Sequence, residues 1–269
     1  MKLQTNKFLA AIQAGQKQVG CWLSLANAYS AEIVAGAGFD WLVVDLEHTP
    51  GDMQDVVGQL QAIAPYHATA IVRTPWNDPV MVKRLLDLGP EGILFPMIQT
   101  ADEARAAVAA TRYPPHGVRG VAGAARGNRF GRVSDYYTAV EKQTCVLLQI
   151  ETCAALDNAM EIGAVDGVDG VFFGPADISA DMGLLGQPLH RDVWDRIMPA
   201  ARKLMDMRIV CCVSPDYVAK HGDPKDPAAL TTHNCLLQSS TALTDHWEFK
   251  GPKGPYTVPV SGNFRANSP

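Results

Sequence analysis

The chain has 269 residues and a mass of 29.0 kDa, a length that suits one (β/α)₈ barrel, which typically needs about 250 residues. Hydrophobic residues make up 47% and charged residues 19%, a balance that argues against extensive disorder. The net charge of −5 argues against a nucleic-acid partner, and no apolar run approaches the roughly 18 residues of a membrane helix. The six cysteines form no C-x-x-C pair and the start lacks a signal peptide, so we expect a cytoplasmic protein.

Short apolar runs alternate with helix-type stretches along the chain. The candidate strands are 19–24, 41–45, 69–73, 92–96, 145–151, 170–174 and 208–213. Their continuous apolar character is typical of strands that are buried on both faces of a parallel sheet. The alternation predicts an α/β fold, and seven strands favour a TIM (β/α)₈ barrel over a small open sheet.

The stretches between these strands have the composition of helices. An amphipathic first helix is expected near the start, with Phe8, Leu9 and Ile12 on one side. Further helices are predicted at 29–37, 52–63, 78–88, 101–111, 153–163 and 192–206. Ser30 and Thr100 are predicted to cap two of them.

Two segments break this alternation. Residues 112–136 form a long loop rich in glycine and arginine, whose arginines could reach a distal substrate carboxylate or serve a solvated loop or a subunit contact. Residues 214–269 hold seven of the eighteen prolines, and only 234–243 could supply a further strand or short helix. We therefore expect a barrel domain over 1–213 and an atypical tail over 214–269.

Polar residues follow the predicted strands, at the end of a parallel barrel where active sites lie. Glu151 and Asp177 stand at the ends of successive strands, 26 residues apart. Two carboxylates suit Mg²⁺ or Mn²⁺, hard ions that keep other positions for water and substrate. Alternatively, each carboxylate could cap the helix that follows it.

His48 and Arg73 are candidates for acid–base chemistry and for anion binding. His48 could abstract a proton if Asp45, Glu47 or Asp87 fixed its tautomer, or it could be a surface histidine. Arg73 could bind a substrate carboxylate or form a structural salt bridge. Trp22, at the end of the first strand, could pack against the site, contact the substrate, or both. No predicted strand carries the lysine of a Schiff-base mechanism.

Five segments, in order, resemble the class II pyruvate-dependent aldolases of the HpcH/HpaI family. They are AYSAEIVAGAGFDWLVVDLEHTPGD, VRTPWNDPVMVKRLLDLG, ATRYPPHGVRGV, VLLQIET and GVFFGPADISADMG. The similarity runs from about residue 5 to residue 200. It implies a modified TIM barrel, a homo-hexamer, and the reversible cleavage of a 4-hydroxy-2-oxo acid to pyruvate and an aldehyde.

The resemblance also implies roles for single residues. Glu151 and Asp177 match the family's metal ligands, for Mg²⁺ or Mn²⁺ with Co²⁺ as a third candidate. His48 matches the catalytic base, Asp87 its partner, and Arg73 the pyruvate-binding arginine. The remaining substrate contacts implied are Trp22, Gln149 and the backbone donors Gly174 and Ala176.

The resemblance fades after about residue 205, and this leaves alternatives open. One is an aldolase for 2-keto-3-deoxy sugar acids, or a related lyase or mutase that uses the same metal. Another is a catalytically weak paralogue that serves as a binding or assembly partner, because an incomplete barrel would expose sheet edges and apolar surface.

Overall fold

The structure of the chain, a computed structural model, describes residues 1–205, 219–222, 224, 226–238, 245–251 and 254–266. It divides the chain into two units, Met1–Asp206 and Met207–Pro269, and each is described by itself. The predicted seventh strand, 208–213, lies outside the described residues.

Six parallel strands in sequential order form the curled sheet of the first unit. They are β1 (Gly20–Leu23), β2 (Trp41–Asp45), β3 (Thr69–Arg73), β4 (Gly92–Phe95), β5 (Cys145–Ile150) and β6 (Gly170–Phe173). All six predicted strands of this unit and the α/β fold are thereby confirmed. The described residues of the first unit form half of a barrel, with β1 and β6 at the two edges.

Ten α-helices and one 3₁₀ helix (Val140–Lys142) are described in the first unit. The α-helices are α1 (Lys7–Gln13), α2 (Ala28–Ala35), α3 (Met53–Ile63), α4 (Pro79–Leu88), α5 (Ala101–Thr111), α6 (Tyr136–Ala139), α7 (Cys153–Asp157), α8 (Ala159–Gly163), α9 (Pro175–Asp181) and α10 (Arg191–Met205). Thr100 caps α5 as predicted, in a capping box with Glu103. The cap of α2 is Asn27 rather than Ser30, because the Asn27 side chain accepts from two amides of the first turn.

The predicted helix over 153–163 is wrong as a single element. The chain breaks at Asn158, whose backbone (φ −90°, ψ 3°) ends α7 and begins α8. The Asn158 side chain donates to the carbonyl of Gln99 at 2.9 Å, an alternative partner of the kind that draws asparagine out of helix interiors.

Alternate residues of each strand contribute to two separate apolar clusters. On β2, Leu42 and Val44 pack with the helices, whereas Val43 belongs to a second cluster on the concave inner face. Ile71 of β3 and Leu94 of β4 lie in the inner cluster as well. The two-residue period of a strand therefore sorts every strand into an outer and an inner set.

Helix α1 covers the inner cluster at the N-terminal ends of the strands. Its Phe8 and Leu9 are buried in that cluster, with Ile12 packed beside them, as predicted. Its cap, Asn6, donates to the carbonyls of Glu91 and Gln143, which lie one and two residues before β4 and β5. The opposite, C-terminal end of the inner face is left for the polar residues.

The second unit contains a 3₁₀ helix (Pro227–Thr232) and four strands. These are β7 (Asn234–Gln238), β8 (His246–Gly251), β9 (Gly254–Pro259) and β10 (Ser261–Ala266). β7 pairs with β10 in parallel, and β8 pairs with β9 in an antiparallel hairpin. Leu230, Cys235, Leu237, Val258 and Val260 form its core. The 234–243 segment supplies a strand, β7, as predicted. The expectation that it alone could do so was wrong, because β8, β9 and β10 lie beyond it.

Among the helices that the structure describes, none is long and apolar enough to cross a membrane.

Candidate active site

The two-residue period of the strands brings the predicted polar residues to one place. Asp45 lies two positions after Val43, and Arg73 lies two positions after Ile71, so both continue the inner face. Gln149 and Glu151 continue the same face of β5 after Leu147. The side chains of the inner face are apolar towards the N-terminal ends of the strands and polar at the C-terminal ends. Active sites of parallel barrels lie at the C-terminal ends.

Arg73 is held between two carboxylates of the β2 end. Its Nε and Nη2 donate to the two oxygens of Asp45 at 2.8 and 2.7 Å, and its Nη1 lies 2.7 Å from Glu47 Oε2. Burial alone would raise the pKa of Asp45, but the Arg73 fork and nearby amides bring it below the usual value. The salt bridge considered for Arg73 therefore exists, and it fixes the guanidinium at the mouth of the sheet.

Trp22 of β1 forms an aromatic wall beside this pair. Its ring centroid lies 5.4 Å from the Arg73 guanidinium carbon and 5.0 Å from the ring of Phe172. Trp22 therefore packs within the inner cluster and also makes a cation–π contact with Arg73. The side chain is half-buried, so part of its surface faces the site.

Glu151 is a buried carboxylate, 3% exposed, at the end of β5. Its Oε2 accepts from the amide of Met97 at 2.9 Å, and its Oε1 accepts from the side-chain amide of Gln149. Burial raises the pKa of Glu151 to about 6, aided by the charges of Glu47 and Asp177 and opposed by the Met97 amide and Arg73. It does not cap the helix that follows, since Thr152 does so.

The turn from β6 into α9 brings a second carboxylate to the same place. Gly174 leaves room for the Glu151 carboxylate, because a Cβ at this position would lie 2.6 Å from Glu151 Oε1 and the carboxylate would have to move. The Gly174 amide donates to the carbonyl of Ile150, whereas no described residue accepts from the Ala176 amide. Asp177 lies in the first turn of α9 without capping it, is exposed, and has no ion pair with any described residue.

His48 lies at the rim of the site, on the loop after β2. Its side chain is 66% exposed, and its Nε2 lies 3.7 Å from Glu47 Oε1. Burial raises the pKa of Glu47, opposed by Arg73 and His48 and reinforced by Asp45 and Asp177. Glu47 is therefore the carboxylate nearest His48 in the described chain, one of the three partners considered from the sequence.

Asp87 is not brought to His48 within this chain. Its Oδ1 instead accepts from Nη2 of Arg119 at 2.9 Å, and Arg119 is completely buried against the ring of Tyr113. Other arginines of the 112–136 loop also have internal partners, since Arg112 pairs with two carboxylates and Arg126 donates to the carbonyl of Leu88. These arginines tie the loop to the first unit.

The balance of charge shows what the site can accept. Three carboxylates, those of Asp45, Glu47 and Glu151, act on the guanidinium of Arg73, and a fourth, Asp177, lies close enough to act on Glu47 and Glu151. Such an excess repels an anionic substrate unless a cation is added. Along the described chain no cluster of three or more His, Cys, Asp or Glu side chains could hold a metal by itself. A cation here would need ligands from solvent or substrate besides two protein carboxylates.

One further polar group, the side-chain oxygen of Gln149, points to such a ligand. Gln149 is 1% exposed, and its Oε1 has no hydrogen-bond partner among the described residues. Its amide orientation is set by Glu151, which requires the nitrogen on its side, so the bare oxygen is left for a donor. The sequence placed Glu47 after β2 and considered it as a partner for His48, but it did not pair Glu47 with Arg73, and it missed Met97. Strand parity could have found Glu47, but nothing in the sequence marks the Met97 amide.

Comparison with known proteins matches this architecture. A model of the HpcH/HpaI aldolase/citrate lyase family matches residues 18–216. A relative from Shigella sonnei (strain Ss046), named 4-hydroxy-2-oxo-heptane-1,7-dioate aldolase, is 58% identical over 189 residues, 70% of this chain and 72% of the relative.

Solved structures agree. A family protein from Burkholderia cenocepacia J2315 superposes with a TM-score of 0.71 at 40% identity, covering 74% of this chain and 82% of that one. The HpcH/HpaI aldolase from Desulfitobacterium hafniense DCB-2 gives a TM-score of 0.66 at 30% identity, over 78% and 84% of the two chains.

The parallel sheet and the carboxylate-rich site at its C-terminal edge are those of an α/β lyase. The chain belongs to the HpcH/HpaI aldolase/citrate lyase family, which confirms the resemblance found in the sequence. It is accordingly a carbon–carbon lyase of the aldolase type.

Proposed function

We propose that this aldolase cleaves 4-hydroxy-2-oxoheptanedioate reversibly to pyruvate and succinate semialdehyde with a divalent metal ion. The substrate is suggested by the 58% identical relative, which carries that activity in its name. The observation that supports the chemistry is the set of four carboxylates at the mouth of the sheet, three of which act on Arg73.

The residues present fit a divalent cation. Glu151 and Asp177 would hold it, because Glu151 is oriented by two donors and Asp177 has no ion pair with a described residue. The oxygen-only donor set suits Mg²⁺, Mn²⁺ or Co²⁺. When bound, the ion supplies a Lewis acid that stabilises the pyruvate enolate.

The chain's own residues would complete the reaction. Arg73, immobilised by Asp45, places a second positive charge beside the pyruvate oxygens, and Trp22 closes the space next to it. The bare Oε1 of Gln149 accepts from a substrate hydroxyl or a water, and the Ala176 amide donates to the pyruvate carboxylate. Gly174 serves through its missing side chain, since its own amide already donates to Ile150.

His48 would move the proton. In the cleavage direction it takes the proton of the 4-hydroxyl, and its exposed position lets it exchange that proton with solvent. Glu47 stands nearest to steady the imidazole. The pairing of His48 with Asp87 stays a prediction, because Asp87 binds Arg119 within this chain.

We further propose the closed (β/α)₈ barrel and the homo-hexamer of the family. The side chains of β1 and β6, the two edge strands, are mostly only half-buried. This supports closure, because a complete barrel leaves no strand at an edge.

The test needs no aldehyde. Deuterium exchange into the pyruvate methyl group, followed by NMR, should occur with Mg²⁺ or Mn²⁺ and stop with excess chelator. Glu151→Gln should abolish it, while Glu161→Gln, an exposed carboxylate of α8, should leave it unchanged. Cleavage of the seven-carbon diacid in preference to 2-keto-3-deoxy sugar acids would then fix the substrate. Absence of exchange in folded protein would instead favour the non-catalytic paralogue.

A further inference from the structure

Met97, in the loop after β4, has a backbone conformation that residues other than glycine rarely adopt. Its φ is +54°, in the left-handed region, and it is one of four non-glycine residues with positive φ in the described chain. The region disfavours residues with a Cβ, so such a conformation persists only where surrounding contacts hold it. A reason for the strain should therefore be visible around it.

The conformation directs two successive amides at the end of β5. The Met97 amide donates to Glu151 Oε2 at 2.9 Å, and the Ile98 amide donates to the carbonyl of Gln149 at 3.2 Å. Ile98 is 1% exposed and anchors the loop in the outer core. The strained residue thus joins the loop after β4 to the two polar residues that end β5.

Glu151 is enclosed on its remaining sides as well. Gln149 donates to Oε1, and Gly174 lies so close that a Cβ there would clash with the same oxygen. The charged groups that act on the carboxylate are Glu47, Asp177 and Arg73. Loss of the Met97 donor would leave Oε2 free to turn away from them.

We propose that Met97 is a positioning residue, whose left-handed backbone aims its amide at Glu151 and holds that carboxylate towards the divalent ion. This inference rests on the proposed metal role of Glu151 and Asp177. The backbone does the positioning, so the identity of the side chain matters only through its tolerance of positive φ.

If the backbone of Met97 does the positioning, substitutions at this residue should weaken metal binding in the order in which the new residues resist positive φ. Side-chain packing would not produce that order. Glycine adopts the left-handed region freely, asparagine tolerates it, alanine does so less, and valine resists it most. Met97→Gly and Met97→Asn should therefore keep the amide on Glu151, and Met97→Val should turn it away. If the methionine side chain mattered instead, glycine would be the most damaging replacement.

The measurement is Mn²⁺ affinity of the full chain, followed by the electron paramagnetic resonance signal of free Mn²⁺. The glycine and asparagine variants should bind within about threefold of the wild type. Met97→Val should bind about tenfold more weakly, which corresponds to about 1.4 kcal/mol. Met97→Ala should bind like the wild type, because alanine and methionine are both unbranched at Cβ. Met97→Thr is β-branched like valine and preserves the test if the valine variant does not fold.

Ala26→Val is the matched control, because Ala26 also has positive φ (+48°) but donates no hydrogen bond to Glu151. It should leave the Mn²⁺ affinity unchanged. Valine at position 97 binding like wild type, or glycine binding as weakly as valine, would overturn the inference. A Glu151→Gln variant that binds Mn²⁺ as tightly as the wild type would instead contradict the metal proposal itself.

Discussion

At the scale of single residues, the site depends on carboxylates that are kept charged against their surroundings. Arg73 compensates Asp45 through a two-bond fork, so that carboxylate stays ionised when buried. Glu151 has weaker compensation from one backbone amide and one side-chain amide. Its charge therefore costs the fold free energy in the absence of a cation.

Glu151→Gln should stabilise the metal-free protein above pH 6. The folded pKa of about 6 exceeds the ordinary 4.5, so the folded state holds the proton more tightly and wild-type stability falls as pH rises through this interval. The 1.5-unit difference corresponds to at most about 2 kcal/mol. Glu151→Gln protein has no carboxyl group at this position, so it does not lose this stability as the pH rises.

Urea unfolding with chelator at pH 5.0 and pH 7.5 measures the effect. The gain in free energy of unfolding for Glu151→Gln over wild type should be larger at pH 7.5, and Glu161→Gln should show no such difference. A gain of equal size at both pH values would mean that the Glu151 charge does not strain the fold. Subtracting wild type also removes the shared titration of Asp169, whose pKa is raised to about 6 by burial.

At the scale of elements, α1 covers the N-terminal end of the inner face of the sheet. Phe8 is 6% exposed, and its ring lies 5.5 Å from that of Trp41 at the start of β2. Asn6 both caps the helix and binds the chain before β4 and β5. The helix thus seals the end of the sheet opposite to the site.

Phe8→Ala should lower the free energy of unfolding by about 3 to 5 kcal/mol, because it removes a buried ring that cannot be replaced by collapse of the strands. Gln13→Ala, an exposed change on the same helix, should cost less than about 0.5 kcal/mol. Both variants should retain wild-type Mn²⁺ affinity below their unfolding temperatures. Weakened Mn²⁺ binding in folded Phe8→Ala protein would show that α1 also affects the geometry of the site.

The sequence predicted the six strands because each is a short, continuously apolar run between helical stretches. It also brought Asp45, Arg73 and Glu151 together, since residues at strand ends share one edge of a parallel sheet. It could not predict the break at Asn158, which depends on a long-range hydrogen bond to Gln99. The Arg119 partner of Asp87 has the same kind of origin, a loop folding back over α4.

At the scale of the whole molecule, the site joins parts of the chain that are far apart in sequence. Its carboxylates come from the ends of β2, β5 and β6, and Arg73 comes from β3. A ligand that binds only when these ends are assembled stabilises the entire first unit against unfolding. Binding should therefore be visible in global stability, independently of turnover.

Mn²⁺ at a hundredfold excess over its Kd should raise the free energy of unfolding by about 2.7 kcal/mol, the linkage expected for one site absent from the unfolded chain. Tryptophan fluorescence can report this for the first unit, since Trp22, Trp41, Trp76 and Trp194 lie there and Trp247→Phe removes the signal of the second. The same Mn²⁺ should give no increase in Glu151→Gln protein. An equal increase in that variant would place the stabilising ion elsewhere, because a site built on Glu151 cannot survive its neutralisation.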